Sequence, residues 1–170
     1  PVSFSGDDAE FAARVAKLEQ SAAFAASIEA RRCVMDVSPG SNRLAYHENF
    51  ELYRSRIGTI ADLLAAHSIR LGIGLIAAED SRKNYEYEFI HEAEPLLTLI
   101  KSVGRPNVGL ALDLWNWTVG GGALDQLEEL SLDQIVSVRI ADVPENADFG
   151  SISFKQRQLP GTMPSSRAVK

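Results

Sequence analysis

A carboxylate at the end of an apolar run is the residue of this sequence best placed for chemistry. The run Val-Gly-Leu-Ala-Leu at 108–112 leads directly into Asp113. A stretch that is apolar throughout is typical of a parallel strand buried on both faces. Because α/β folds place their chemistry at the carboxyl ends of such strands, Asp113 is a candidate site residue. Aspartate is also a common turn former, so the alternative that Asp113 only caps the next turn stays open.

Two tryptophans follow Asp113 closely and have two interpretations. Trp115 and Trp117 could line a sugar site, since aromatic faces stack on sugar rings, or they could pack in the core. The triple glycine at 120–122 lacks the residues of a phosphate loop and is interpreted as a turn. None of the three histidines ends a predicted strand, so surface or capping roles are favoured for His47, His67 and His91.

Helical and strand-like patterns alternate along the chain, and they would position these residues. Helices are predicted at about residues 8–29, 49–67, 89–103 and 124–130. Strands are predicted at about residues 32–37, 69–76, 108–112 and 135–140. Strands separated by helices imply parallel pairing with right-handed crossovers. The predicted fold class is α/β, with a parallel sheet covered by helices.

Some boundaries remain open in this pattern. Asn49 is expected to cap the second helix. Pro95 predicts either a kink in the third helix or a true start near Glu94, since proline removes a helical hydrogen bond. Residues 151–154 could form one more short strand, and residues 1–4 resemble the end of an earlier one.

Composition excludes several classes of protein. The chain has 170 residues, 45% of them hydrophobic, and a net charge of -6, which argues against a nucleic-acid partner. No apolar run approaches the roughly 20 residues of a membrane span, and no secretory signal is evident at the start. A cytoplasmic protein without a membrane partner is therefore expected. The single cysteine, Cys33, leaves no intrachain disulfide and no cysteine metal site.

Several stretches together resemble a known family. They are Tyr-His-Glu-Asn-Phe-Glu at 46–51, Ile-Arg-Leu-Gly-Ile-Gly at 69–74, Pro-Asn-Val-Gly-Leu-Ala-Leu-Asp at 106–113, the segment 133–144, and Leu-Pro-Gly at 159–161. In these stretches the chain is similar to sugar phosphate isomerases and epimerases of the xylose-isomerase-like TIM-barrel superfamily. The resemblance implies a parallel-stranded barrel, metal-dependent proton transfer next to a carbonyl, and a small sugar or sugar phosphate as substrate.

The resemblance also implies a metal site, which this sequence matches poorly. Family members bind a divalent metal such as Mn, Mg, Co or Zn with Glu, Asp, His and Glu. Asp113 matches the metal aspartate, but Gly74 stands where the first glutamate is expected and Arg139 where the histidine is expected. The substrate-contacting histidine is replaced by Asn116, and the last glutamate would lie beyond residue 161.

These substitutions suggest two ways in which the site could have changed. Arg139 could pair with Asp113 or Asp142 and so put a permanent positive charge in place of the metal. Glu79 or Asp80 could instead supply a displaced carboxylate. The candidate residues are Asp113 as the remaining metal ligand and, for substrate, Trp115, Asn116, Arg139 and Asp142. No catalytic residue is assigned.

The sequence thus predicts an incomplete barrel. A full barrel needs about 250 residues and eight strand–helix units, whereas this pattern supplies about four to five. Residues 1–161 are expected to form the partial barrel and residues 162–170 a disordered tail. Open sheet edges favour a homo-oligomer. Two functions remain: an impaired metal-dependent isomerase or epimerase, and an inactive module that binds carbohydrate or associates with itself.

Overall fold

A computed structural model describes Phe4 and residues 6–161 of the chain. Its main sheet consists of the strands β1 (Arg32–Asp36), β3 (Arg70–Gly74), β5 (Val108–Asp113) and β6 (Ile135–Arg139). They lie in the order β1-β3-β5-β6, and each neighbouring pair is parallel. Two short strands, β2 (Gly40–Ser41) and β4 (Tyr87–Glu88), form a separate antiparallel ribbon. The predicted α/β class with parallel strands is confirmed.

Helices alternate with the strands of the main sheet along the chain, and the first helix precedes β1. They are α1 (Asp8–Ser27), α2 (Tyr46–Ala66), α3 (Ala93–Val103), α4 (Leu114–Val119) and α5 (Leu124–Glu128). Every residue of β5 is buried, as its uninterrupted apolar run predicts. The core around it draws on α2 and α3, whose fully buried side chains include Ile57, Ile60, Leu96 and Leu99.

Residues without bulky side chains let the inner face of the sheet close on itself. A Cβ at Gly72 would lie 3.1 Å from Ala111 and from Val136, which belong to other strands. A Cβ at Gly109 would lie 2.3 Å from the carbonyl oxygen of Gln134. Larger residues at these two positions would hold the strands apart, so glycine is required by close approach of the backbone.

Several predicted boundaries differ from the structure. The expected cap at Asn49 is wrong, because Asn49 already donates its backbone N–H to the Ala45 carbonyl inside α2. Of the two possibilities at Pro95, the later start is correct: α3 begins at Ala93, which places the proline in the first turn, where it is tolerated. Residues 151–154 form no strand, since a turn there leads into a 3-10 helix over Phe154–Gln156.

The main sheet has two open edges, which bear on the expected self-association. β1 and β6 are the outer strands, and each exposes an apolar side chain, Val34 and Val138. Self-association through these edges stays a prediction. Within the described part of the chain, no helix is long and apolar enough to cross a bilayer. Residues 1–3 and the predicted tail at 162–170 lie outside the described residues.

Two alanine substitutions should separate the structural glycine from an ordinary one. Gly109→Ala should lower the free energy of unfolding by about 1–3 kcal/mol, because the new methyl group meets a backbone oxygen. Gly58→Ala should raise it by about 0.5–1 kcal/mol, since a Cβ there meets nothing within 4 Å and alanine favours helix. Urea denaturation of both variants measures the two changes, and a loss in both would contradict this account of the inner face.

Candidate ligand site at the carboxyl ends of the strands

Charged residues that end three strands meet at one edge of the sheet. The register pairs Asp36 with Gly74 and Asp113 with Arg139, which brings the carboxyl ends of all four strands together. Arg139 lies between two carboxylates: its Nη2 is 3.2 Å from Asp36 Oδ1, and its Nε is 3.4 Å from Asp113 Oδ2. Asp36 and Arg139 belong to the two outer strands, so this ion pair requires the sheet to be strongly curved.

A second arginine binds Asp113 from the segment after β6. Arg157 donates Nη1 to Oδ1 at 3.0 Å and Nη2 to Oδ2 at 2.8 Å, a bidentate pair. Asp113 Oδ1 also accepts the backbone N–H of Asn116 at 3.1 Å and so caps α4. The Asp113 side chain is only 1% exposed. Asp113 therefore caps a helix, as one interpretation of the sequence expected, and it also lies at the centre of a charged cluster.

The segment that carries Arg157 is fixed by a carboxylate of another loop. Asp80 accepts hydrogen bonds from the Ser153 hydroxyl and the Phe154 backbone N–H. The Ser153 bond holds the pKa of the Asp80 carboxyl below its ordinary value. A carboxyl with a lowered pKa stabilises the fold above its unfolded pKa, and this contribution is lost as the pH falls through its folded pKa. Acid therefore weakens the attachment of this segment.

Trp115 has no exposed face, and Phe154 packs against its ring. Trp115 is fully buried, and its ring meets the Phe154 ring edge to face at 5.7 Å. The Arg157 guanidinium lies 5.7 Å from the centre of the same Phe154 ring. Trp117 is also buried and donates Nε1 to the Ala123 carbonyl at 3.2 Å. The structure places both tryptophans in the core, and a substrate contact of Trp115 stays a prediction.

Gly74 leaves room that a neighbouring carboxylate fills. A Cβ at position 74 would lie 2.0 Å from Asp36 Oδ1, so the Asp36 side chain occupies the space in which a side chain of residue 74 would begin. Glu79 and Asp80 do not take over this slot, because Glu79 pairs with Lys83 at 2.8 Å and Asp80 holds the segment after β6. The idea of a carboxylate displaced to Glu79 or Asp80 is wrong.

The donor groups at this edge do not fit a divalent metal. Both oxygens of Asp113 already accept from Arg157, and Arg139 places a fixed positive charge beside them. Among Phe4 and residues 6–161, no three His, Cys, Asp or Glu side chains lie close enough to hold a metal ion. The residues at the slots that the resemblance assigns are therefore arranged for ion pairing with arginine.

The side chains of the two remaining predicted residues, Asn116 and Asp142, accept hydrogen bonds from backbone N–H groups. Asn116 is buried and accepts the Ala77 backbone N–H on its Oδ1 at 3.1 Å, so it positions the loop after β3. Asp142 is fully buried and accepts the Gly161 backbone N–H on Oδ2 at 2.9 Å. Of the two pairings expected for Arg139, the one with Asp113 is present. We refer to Asp36, Gly74, Asp113, Arg139 and Arg157 as the strand-end site.

Asp36 and Arg157 are members of the site that sequence reasoning missed. Asp36 did carry a signal, since it is a charged residue at the end of a predicted strand, but extending that strand to residue 37 hid it. Arg157 carried none, because it follows a 3-10 helix in a segment without periodicity. A cavity of about 460 Å³ adjoins Asp36, and Ser38, Tyr53 and Tyr85 are among its lining residues.

Removing Arg157 should be costly, because it leaves a buried carboxylate without its bidentate partner. Arg157→Ala should lower the free energy of unfolding by about 2–4 kcal/mol. The matched control is Arg105→Ala, which removes an ion pair with Asp62. The Arg105 and Asp62 side chains are 43% and 58% exposed, so this loss should cost less than about 1 kcal/mol. Denaturant titrations compare the two, and equal losses would contradict the importance of the Asp113 pair.

The space shared by Gly74 and Asp36 can be tested by a double-mutant cycle. Gly74→Ala should destabilise the protein, because its methyl group displaces the Asp36 carboxylate from Arg139. The same substitution in an Asp36→Ala background should cost about 1 kcal/mol less, since the obstructing atoms are gone. Thermal and urea unfolding of the four proteins measure the coupling, and strictly additive effects would contradict the steric argument.

Comparisons with known proteins give this geometry a family context. A family model described as xylose isomerase-like TIM barrel matches residues 2–162. A solved xylose isomerase domain protein from Alicyclobacillus acidocaldarius is 25% identical, with a TM-score of 0.81 over 95% of this chain and 57% of that chain. A crystal structure of the IolI protein with a bound zinc atom is 14% identical, with a TM-score of 0.76 over 93% of this chain and 54% of that one.

A curated relative adds a name that includes an activity. The mouse protein named "Putative hydroxypyruvate isomerase" is 25% identical over 116 residues, which is 68% of this chain and 41% of that protein. The chain thus spans roughly half the length of the proteins it matches. Since the family model covers nearly all of its residues, the chain belongs to the xylose isomerase-like TIM barrel family.

Proposed function

We propose that this chain binds a small, hydroxyl-rich ligand of the sugar type at the strand-end site without using a divalent metal. The observation that carries the proposal is the position of Arg139 between Asp36 and Asp113, with Arg157 on both oxygens of Asp113. Two guanidinium groups balance two carboxylates there. Because arginine stays protonated at any physiological pH, this balance needs no added cation.

The exposed members of the site have hydrogen-bonding capacity to spare. The Arg139 side chain is 47% exposed and that of Asp36 is 35% exposed, whereas Asp113 is 1% exposed. A guanidinium carries five N–H donors, and within the described residues Arg139 directs its Nε and Nη2 at carboxylates. A ligand hydroxyl or carbonyl oxygen could accept the others, while Asp36 could accept a ligand hydroxyl. Asp113 and Arg157 would then position this pair.

The cavity beside Asp36 has a size and lining that suit such a ligand. Its volume of about 460 Å³ lies within the range of small-molecule sites, roughly 300–1,000 Å³. Tyr53, Tyr85 and Ser38 contribute aromatic surface and hydroxyl groups to the wall. The strand-end cluster supplies a charged, polar wall through Asp36. A sugar combines hydroxyl groups with apolar ring surface and would match both parts.

A metal-dependent isomerase or epimerase is the second candidate function. The name of the mouse relative favours it, and so does the zinc atom in the IolI structure. The expected substrate would be a sugar or sugar phosphate. This candidate requires a divalent ion to displace guanidinium groups from Asp113, which the ion pairs of Arg139 and Arg157 oppose.

Calorimetric titration of the whole chain can decide between the two candidates. D-xylose and D-fructose should bind with a Kd of about 1 mM or tighter, and addition of EDTA should leave the affinity unchanged. Arg139→Gln should weaken binding about tenfold or more, because it removes the exposed charged donors. The matched control is Arg54→Gln. Arg54 forms an exposed ion pair with Glu51 on α2, so its substitution should not affect binding.

Other outcomes of this experiment would favour the second candidate. Tight binding of Mn²⁺ by the unmodified chain, or sugar isomerisation that depends on added Mn²⁺, would contradict a metal-independent site. If neither sugar released or absorbed heat and neither shifted the melting temperature, binding of a hydroxyl-rich ligand would be refuted.

A further inference from the structure

A second cavity lies beside the first and is not part of the strand-end site. Its volume is about 430 Å³, and it is lined by the loop after β1, the start of α2 and the segment before α1. The polar side chains that matter for its chemistry are those of Asp7, Ser41, Asn42, Arg43, Asn49 and Tyr85. We call it the Asn49 cavity, and the cavity beside Asp36 the Asp36 cavity.

Asn49 is an unusual residue to find in the wall of a cavity. It is only 3% exposed, although it belongs to a helix that has polar residues on its solvent face. Its Nδ2 is buried and has no acceptor among the described residues. An unsatisfied buried donor destabilises a fold, and the residue that carries it is one of those that line this cavity.

Arg43 and Asp7 set the charge of the cavity. Arg43 donates Nη2 to the Gly6 carbonyl at 2.8 Å and forms no ion pair within the described residues, which leaves most of its donors for other acceptors. Asp7 accepts the Glu10 backbone N–H on Oδ1 and brings a negative charge to the same cavity. The two formal charges offset each other, and this favours a neutral ligand group that both donates and accepts hydrogen bonds.

The two cavities share one wall. Ser38, Tyr53 and Tyr85 line both of them. Tyr85 is held against the loop after β1, because its hydroxyl accepts a hydrogen bond from Ser38 Oγ at 3.2 Å and its ring fills the space in which a Cβ of Gly40 would lie. A ligand that extends past this ring could occupy the Asp36 cavity and the Asn49 cavity together.

We infer that the Asn49 cavity is a second subsite for the same ligand and takes a further hydroxyl-bearing sugar unit. This inference rests on the proposed function. The Asn49 amide and the free donors of Arg43 bind hydroxyl oxygens of that unit, and Asp7 accepts its hydroxyl hydrogens. Tyr85 lies between the two units. The preferred ligand is therefore a disaccharide or a glycoside of similar length.

Titrating the full chain with D-xylose and with xylobiose tests the second subsite. Xylobiose should bind about tenfold more tightly than xylose, because only the disaccharide reaches both cavities. Asn49→Leu should remove this preference while leaving xylose affinity unchanged. The same substitution should leave the melting temperature equal or higher, since it removes a buried donor that has no partner.

A matched asparagine shows what a purely structural role would do. Asn107 donates Nδ2 to the carbonyls of Ala61 and Ile69 at 2.8 and 3.3 Å, so its amide is satisfied. Asn107→Leu should lower the melting temperature and leave the preference for xylobiose intact. Arg43→Gln provides a second variant of the cavity, and it should reduce xylobiose affinity alone.

The outcomes separate this inference from the proposed function. If xylose and xylobiose bind equally well, or if Asn49→Leu and Arg43→Gln both leave the preference intact, the second subsite is refuted while the strand-end site stands. If Asn49→Leu and Arg139→Gln weaken xylose binding equally, the two cavities are not separate subsites. If neither sugar binds, the proposed function and this inference fail together.

Discussion

The carboxylate of Asp113 is the group on which the carboxyl edge of the sheet depends. A charge that is 1% exposed is unfavourable unless it is paired and hydrogen-bonded. Arg157 supplies two hydrogen bonds, the Asn116 backbone N–H supplies a third, and Arg139 adds a charge at 3.4 Å. Satisfying this carboxylate fixes the start of α4 and draws the segment after β6 across the site. The same contacts leave its oxygens engaged with donors from the protein itself.

Ion pairing with arginine balances the charge of the carboxylates at this edge. Here a guanidinium from β6 lies between carboxylates of β1 and β5, so a positive charge separates two negative ones. Gly74 and Asp36 complement each other, because the Asp36 carboxylate occupies the volume that a side chain at 74 would fill.

Much of the fold, but less of the site, can be predicted from the sequence. The apolar run that forms β5 and the alternation of helices and strands are local patterns, and they give the parallel sheet and the edge at which Asp113 and Arg139 meet. Arg157 contacts Asp113 across 44 residues from a segment without periodicity, so no local pattern predicts it. The burial of Trp115 depends equally on Phe154, which lies in that segment. Asp36 was missed because the predicted strand ended one residue later, at residue 37, than the strand in the structure.

Buried donors without acceptors connect the site with the rest of the molecule. In the described part of the chain these are Asn49 Nδ2, Arg82 Nε and Trp115 Nε1. Trp115 lies two residues after Asp113, and Arg82 lies in the loop after β3. Asn49 lines the cavity that shares Ser38, Tyr53 and Tyr85 with the Asp36 cavity. A fold selected for stability alone would satisfy or replace such groups. Each of these three donors costs the fold stability, because burial removes water without supplying another acceptor.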